Sequence, residues 1–182
     1  MDIQYRIEFF SNWHCGSGLA AGADVDALVV KDSDGLPYIP GRTVKGLLRE
    51  AASELSSDSD LLRKIFGISG DEKPDTPGDK RIGEAFFGNV TLTDGPTIIA
   101  AQLAPHLFQT FASTAIDERN GIAKDSSLRK IETVVPCTLE GQIINLPNEG
   151  LELIEQAMQM VKRIGIGRNR GYGRCCISVI KK

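Results

Sequence analysis

The feature that most limits the fold is the alternation in residues 2–9, where Ile3, Tyr5, Ile7 and Phe9 are separated by Gln4, Arg6 and Glu8 and preceded by Asp2. Successive side chains of a strand point to opposite faces, so this period of two predicts a strand with one face buried and one in water. Residues 12–26 are rich in Gly, Ala and Ser, carry Trp13, His14 and Cys15, and read as a long loop. A short strand is expected over 27–30, and the Asp-Ser-Asp-Gly run at 32–35 has the residue types of a turn.

The period then changes. Val44, Leu47, Leu48, Ala51 and Leu55 recur at helical spacing after Pro40 and Gly41, which predicts an amphipathic helix starting near Arg42 or Thr43. A short helical piece over 61–66 should stop at Gly67, and residues 69–80, without a large apolar side chain, read as a mobile loop. Strands are expected over 85–93 and 133–146, the latter bending at Glu140 and Gly141, with a weakly patterned insertion, 94–132, between them. Asn148 is placed to cap a helix with Leu151, Ile154, Met158 and Val161 on one stripe, and a last strand spans 172–180. The order is strand, helix, strand, insertion, strand, helix, strand. That is an α+β, ferredoxin-like (RRM-like) pattern in a single domain over 1–182, with the insertion between strands two and three.

Charge is distributed unevenly. The net charge is −3 over 182 residues, yet no acidic residue follows Glu155, and Lys162, Arg163, Arg168, Arg170, Arg174, Lys181 and Lys182 give +7 in the last 27 residues. Such polarity predicts a local polyanion site on an acidic body. Cys15, Cys137, Cys175 and Cys176 form no CxxC pair, and only His14 and His106 supply imidazole, so no structural zinc site is expected. In a strand, Cys175 and Cys176 would point to opposite faces. No apolar run approaches the roughly 18 residues of a membrane span and no secretory signal opens the chain, so a cytoplasmic protein with reduced thiols and no membrane partner is expected.

Residues 163–174 read Arg-Ile-Gly-Ile-Gly-Arg-Asn-Arg-Gly-Tyr-Gly-Arg, between a helix and a strand. Glycines let a backbone approach a phosphate and expose its N–H groups, while arginines add bidentate charge. The spacing is GxGxxxGxG, and the element order is the reverse of a dinucleotide-binding fingerprint; no P-loop motif occurs. A phosphate-binding loop is the expectation, with a flexible turn carrying incidental arginines as its alternative.

This segment resembles the glycine-rich loop of the RAMP superfamily of CRISPR-associated RNA-binding proteins. Residues 35–49, Gly-Leu-Pro-Tyr-Ile-Pro-Gly-Arg-Thr-Val-Lys-Gly-Leu-Leu-Arg, are similar to that family's Pro-Gly segment, with Arg42 and Thr43 where the family has two serines. A third similarity covers Ile116 to Ala123, then Ser127, Leu128, Glu132 and Pro136. Three motifs in order span nearly the whole chain, with the nearest likeness to the backbone subunits of type III effector complexes.

The resemblance implies an RRM-like palm with a β-hairpin thumb in the 94–132 insertion, stacked with other RAMP subunits along a CRISPR guide RNA. Contacts to that RNA fall on Arg42, Thr43, Lys45, Arg49 and Arg119, and in the glycine loop on Gly165, Gly167, Arg168, Asn169, Arg170, Gly171, Tyr172 and Arg174. With only 6% aromatic residues, backbone contacts are expected to outweigh base stacking. By the same resemblance Asp26 matches the aspartate of catalytic members, which supports cleavage of complementary target RNA with a divalent metal, Mg²⁺ in the first instance. Asp24 would share its face if the segment is extended. Three alternatives stay open: a noncatalytic or end-capping scaffold, a metal-independent guide-processing nuclease using His14 as base, and a ferredoxin-like domain that binds a small molecule or a protein.

Overall fold

A computed structural model of the chain describes residues 1–21, 24–68 and 82–181. The mobile loop expected over 69–80 lies outside these residues.

The opening alternation becomes β1 (Ile3–Phe9), whose side chains are buried and exposed in strict turn. It is the inner strand of a five-stranded antiparallel sheet, flanked by β6 (Thr138–Ile144) and β7 (Cys175–Lys181). Register places Ile7 opposite Leu139 on one side and Ile177 on the other. Two short strands, β2 (Phe86–Phe87) and β3 (Thr91–Leu92), both pair with the far edge of β6. The fold is thus mixed α/β with antiparallel sheets.

Helix α1 (Gly41–Leu55) and α4 (Leu151–Met160) pack on each other over one face of this sheet, burying Val44, Leu48 and Ala52 against Ile154, Ala157 and Met158. The stripe read from sequence is therefore the buried one, except that Leu47 is half-buried and Leu55 at the helix end is exposed. Between α1 and β2 lies α2 (Ser59–Phe66), capped by Asp58, whose Oδ1 accepts the Asp60 and Leu61 N–H groups. A short α3 (Gly95–Ala100) follows β3.

Several expected elements are redrawn. The strand over 85–93 is broken in the middle, because Val90 leaves β6 to pair with Ile39, and Asn89 Oδ1 accepts the Gly41 N–H at the start of α1. The strand over 133–146 is two strands. Its first part is β5 (Arg129–Val134), which pairs with β4 (Phe108–Ser113) as a separate hairpin, and the break falls at 135–137, around Pro136. No bend occurs at Gly141, which sits inside β6 opposite Tyr5; a Cβ there would lie 2.8 Å from the Tyr5 hydroxyl and ring carbon. The glycine makes room for that phenol, which is fully buried with no hydrogen-bond partner for its hydroxyl. Asn148 caps nothing: it opens a 3₁₀ turn, and α4 begins after Gly150. Residues 27–30 form single bridges rather than a strand, and the last strand starts at Cys175.

The loop over 12–18 carries core. Trp13 is fully buried, stacks on Phe9 at 4.7 Å between ring centroids, and donates its indole N–H to Cys137 Sγ. Its main chain exchanges two hydrogen bonds with Val134, which ties the base of the hairpin to the main sheet. Cys175 is buried and Cys176 exposed, as their adjacency in a strand requires.

Candidate nucleic-acid interface

The loop between α4 and β7 is pinned at both feet. Ile164 N–H donates to Gly173 O at 2.9 Å and Cys175 N–H to Lys162 O at 2.9 Å, while the fully buried Ile164 side chain plugs the core. Above this neck the chain lies on residues 12–14: Ile166 N–H donates to His14 O and Gly173 N–H to Asn12 O. The approach is close enough to dictate residue type. A Cβ on Gly165, whose φ is +94°, would stand 2.1 Å from His14 O, and one on Gly173 2.0 Å from Ile164 O, so neither position accepts a side chain. The loop then turns through Arg168, Asn169 and Arg170 between two left-handed glycines, Gly167 and Gly171.

Facing it is one side of the hairpin. The cross-strand pairs Phe111 with Ile131 and Ser113 with Arg129 project into a groove of about 780 Å³, whose other wall is Gly165, Ile166, Gly167, Arg168, Asn169, Arg170 and Tyr172. Phe111 and Tyr172 meet across it edge to face, 5.8 Å between centroids at 71°. Among the described residues, three arginines and no carboxylate line this space. Phosphate is the chemical group such a lining attracts, through charge-assisted hydrogen bonds.

Residues 26–31 strap the hairpin in place. Asp26 N–H donates to Lys130 O at 2.8 Å, and Asp26 Oδ2 accepts the Lys130 N–H at 2.7 Å. Next along, Glu132 N–H donates to Ala27 O, Glu132 Oε2 accepts the Val29 N–H at 3.0 Å, and Glu132 Oε1 pairs with Lys31 Nζ at 2.8 Å. Lys31 Nζ also sits 4.0 Å from the centroid of the Phe108 ring. The strap thereby fixes the strand that presents Arg129 and Ile131.

Of the residues expected to bind RNA, Gly165, Gly167, Arg168, Asn169, Arg170 and Tyr172 converge on this groove; Gly171 and Arg174 belong to the loop but stand outside its lining. The basic residues of α1 do not. Arg49 donates to Gly67 O at 3.0 Å, closing the end of α2, and Lys45 is half-buried, its pKa lowered by burial and by the nearby charge of Arg49. Thr43 hydrogen-bonds the Cys15 thiol, whose pKa burial raises while Thr43 and the charge of Arg42 pull it back. Arg119 lies in the hairpin tip, where its N–H bonds Asp117 Oδ1. Ser113, Arg129, Ile131 and Ile166 enter the groove unannounced. For Arg129 and Ile131 the available signal was their spacing of two.

His14 does not offer a general base. Its ring is 1% exposed and its Nδ1 lies 2.6 Å from Glu132 O, so it ties the loop to β5. Asp26 is exposed, whereas Asp24 lies in a turn closed by Ala21 and Val25, not on a shared extended face. No group of three or more His, Cys, Asp or Glu side chains that could hold a metal occurs among the described residues. With Oδ2 bonded to Lys130, Asp26 presents Oδ1, which fits a divalent ion only when water and phosphate oxygens complete the shell. No helix among the described residues is long and apolar enough to cross a membrane.

Residues 6–176 match the family model of the RAMP superfamily. The CRISPR system Cms endoribonuclease Csm3 of Streptococcus thermophilus is 25% identical over 201 residues, covering 98% of this chain and 86% of that one. Among solved structures, type III-B Cmr-beta bound to cognate target RNA has a chain that superposes with a TM-score of 0.75 at 9% identity, covering 98% of this chain and 97% of that chain. Its apo state gives 0.74 at 12% identity, with 100% and 98% covered.

Proposed function

Because this chain belongs to the RAMP superfamily, we propose that it is a guide-RNA-binding backbone subunit of a cytoplasmic type III CRISPR effector, assembling with other RAMP subunits and cleaving guide-paired target RNA. The observation that carries this reading is the groove between the glycine loop and the hairpin, lined by Arg129, Arg168 and Arg170 without an opposing acid. On this reading the main sheet, with its order β2, β6, β1, β7, is a ferredoxin-like palm, and the β4–β5 hairpin with its tip is the thumb. The name of the Streptococcus thermophilus relative and the RNA-bound state of the Cmr-beta structure agree with it.

The groove would grip the sugar-phosphate backbone, because guanidinium and exposed amide groups recognise phosphate irrespective of sequence. A guide carrier needs that indifference. Asp26, beside the groove-lining strand, would be the residue that faces the target. Its Oδ1 and phosphate oxygens would together hold a magnesium ion, which supplies charge neutralisation at the phosphate under attack. Asp26 itself keeps its carboxylate oriented through Lys130, and the hairpin displaces the strand from regular A-form geometry so that a 2′-hydroxyl can align with its own phosphate.

The scaffold reading, without cleavage, draws on the same hydrogen bond, since Asp26 already has a structural task at Lys130. A guide-processing nuclease would need a base in the groove, and His14 is buried beneath it. The deciding experiment is target RNA cleavage by the assembled complex carrying Asp26→Asn, with and without EDTA. Loss of cutting with retained RNA binding supports the catalytic reading; undiminished cutting by the variant assigns the chemistry to another residue or subunit.

A further inference from the structure

The arginines account for phosphate, but not for the aromatic contact at the centre of the groove. Phe111 belongs to the hairpin and Tyr172 to the glycine loop, and their edge-to-face contact is the point where the two walls touch. Phe111 is 38% exposed although it is a large apolar side chain, and Ile166 beside it is 44% exposed. A groove that exposes aromatic and aliphatic surface inside a ring of guanidinium groups suits a flat apolar body attached to anions. A nucleotide has that composition. The open face of β1 offers nothing comparable: it presents Gln4, Arg6 and Glu8, with Arg6 already paired to Glu140 at 2.7 Å, and no aromatic residue.

We propose that Tyr172 is a base-stacking residue. One unpaired RNA base enters the groove, takes the place of Phe111 against the Tyr172 ring, and leaves its flanking phosphates to Arg168 and Arg170 on one wall and Arg129 on the other. The exchange runs in this direction because stacking of a base on an aromatic side chain is worth more than one edge-to-face ring pair. Every base has a π-face, so the pocket accepts any sequence, but it requires a base free of its neighbours; a continuous duplex offers none. In the absence of RNA, Phe111 occupies the place beside the Tyr172 ring. This inference rests on the RNA-binding reading and specifies its ligand as a single-stranded nucleotide.

The test uses the full chain with a short single-stranded oligouridine containing 5-bromouridine, irradiated with long-wave ultraviolet light, and the crosslinked peptide is mapped by mass spectrometry. Crosslinking at Tyr172 is expected, and annealing the strand to oligoadenosine should remove it. Tyr172→Phe should bind as the parent does, whereas Tyr172→Leu should lose about tenfold in affinity without changing the dependence on salt. Crosslinks that map only outside the groove on bound wild-type protein overturn the proposal whatever the variants do, and so does a folded Tyr172→Leu with parental affinity. If wild type binds neither strand form, the RNA-binding reading fails first.

Discussion

Asp26 and Lys130 are joined twice, by Asp26 N–H to Lys130 O at 2.8 Å and by Lys130 N–H to Asp26 Oδ2 at 2.7 Å. The residue proposed to support target cleavage is therefore also the first tie holding the hairpin strand. Asn and Ala substitutions at this position should consequently behave differently.

Asparagine keeps an oxygen for the Lys130 N–H and removes the charge, so Asp26→Asn should preserve the hairpin and lower target cleavage in the assembled complex by at least about a hundredfold, as for loss of a single charge-stabilising group. Alanine loses both. Hydrogen exchange at Lys130 and Glu132 should speed up in Asp26→Ala but not in Asp26→Asn; equal exchange in both would deny the tie its role.

Replacing Arg168 and Arg170 together by alanine should weaken binding equally for unrelated single-stranded RNAs. The slope of log affinity against log salt should fall by roughly 1.4, about 0.7 for each phosphate that is no longer neutralised. Anisotropy titrations at several salt concentrations measure this, and a loss confined to one sequence would contradict backbone recognition.

How much of this was legible beforehand depends on where each determinant sits. Alternation over Ile3 to Phe9 and the stripe from Val44 to Ala51 are local, and both became buried faces of the expected element. The Gly-Arg run announced itself by composition. Trp13 and His14 looked like loop residues because nothing in residues 12–18 is periodic; their burial depends on Phe9, Cys137 and Glu132, which are remote or lie outside the segment. For Arg129 the sequence offered only its spacing of two with Ile131; that this face meets the glycine loop depends on residues far away in the chain. The basic side chains of α1 stand outside the groove lining for a related reason: charge is visible in a sequence, but Arg49's engagement with Gly67 is not.

Glu132 should matter more to stability than a surface carboxylate does. Its Oε1 and Oε2 serve Lys31 and the Val29 N–H, and its side chain is 13% exposed. Glu132→Ala leaves that amide unpaired, at a cost of about 1–2 kcal/mol. In a chain of this size that lowers Tm by roughly 2–8 °C, which thermal unfolding by circular dichroism will register.

Burial raises the thiol pKa of Cys137 to about 11 and of Cys175 to about 12. Both thiols stay protonated in the folded protein at pH 8, so alkylation of the native chain should modify the exposed Cys176 first and these two only on unfolding. Since unfolded thiols ionise near pH 9, the contribution from keeping them neutral is complete below that and is lost as pH rises toward 11 and 12. Denaturant midpoints measured from pH 7 to pH 11 should fall only above pH 9.

The position of β1 between β6 and β7 carries a consequence for synthesis on the ribosome. The first strand finds its partners at residues 138–144 and 175–181, and the groove is assembled from segments near 111, 130 and 168. A nascent chain that has emerged only as far as α4 has one partner for β1, and its groove still lacks an entire wall. On the proposed reading, RNA capture is in this way withheld from incomplete translation products, because the glycine loop emerges from the ribosome after every other part of the groove.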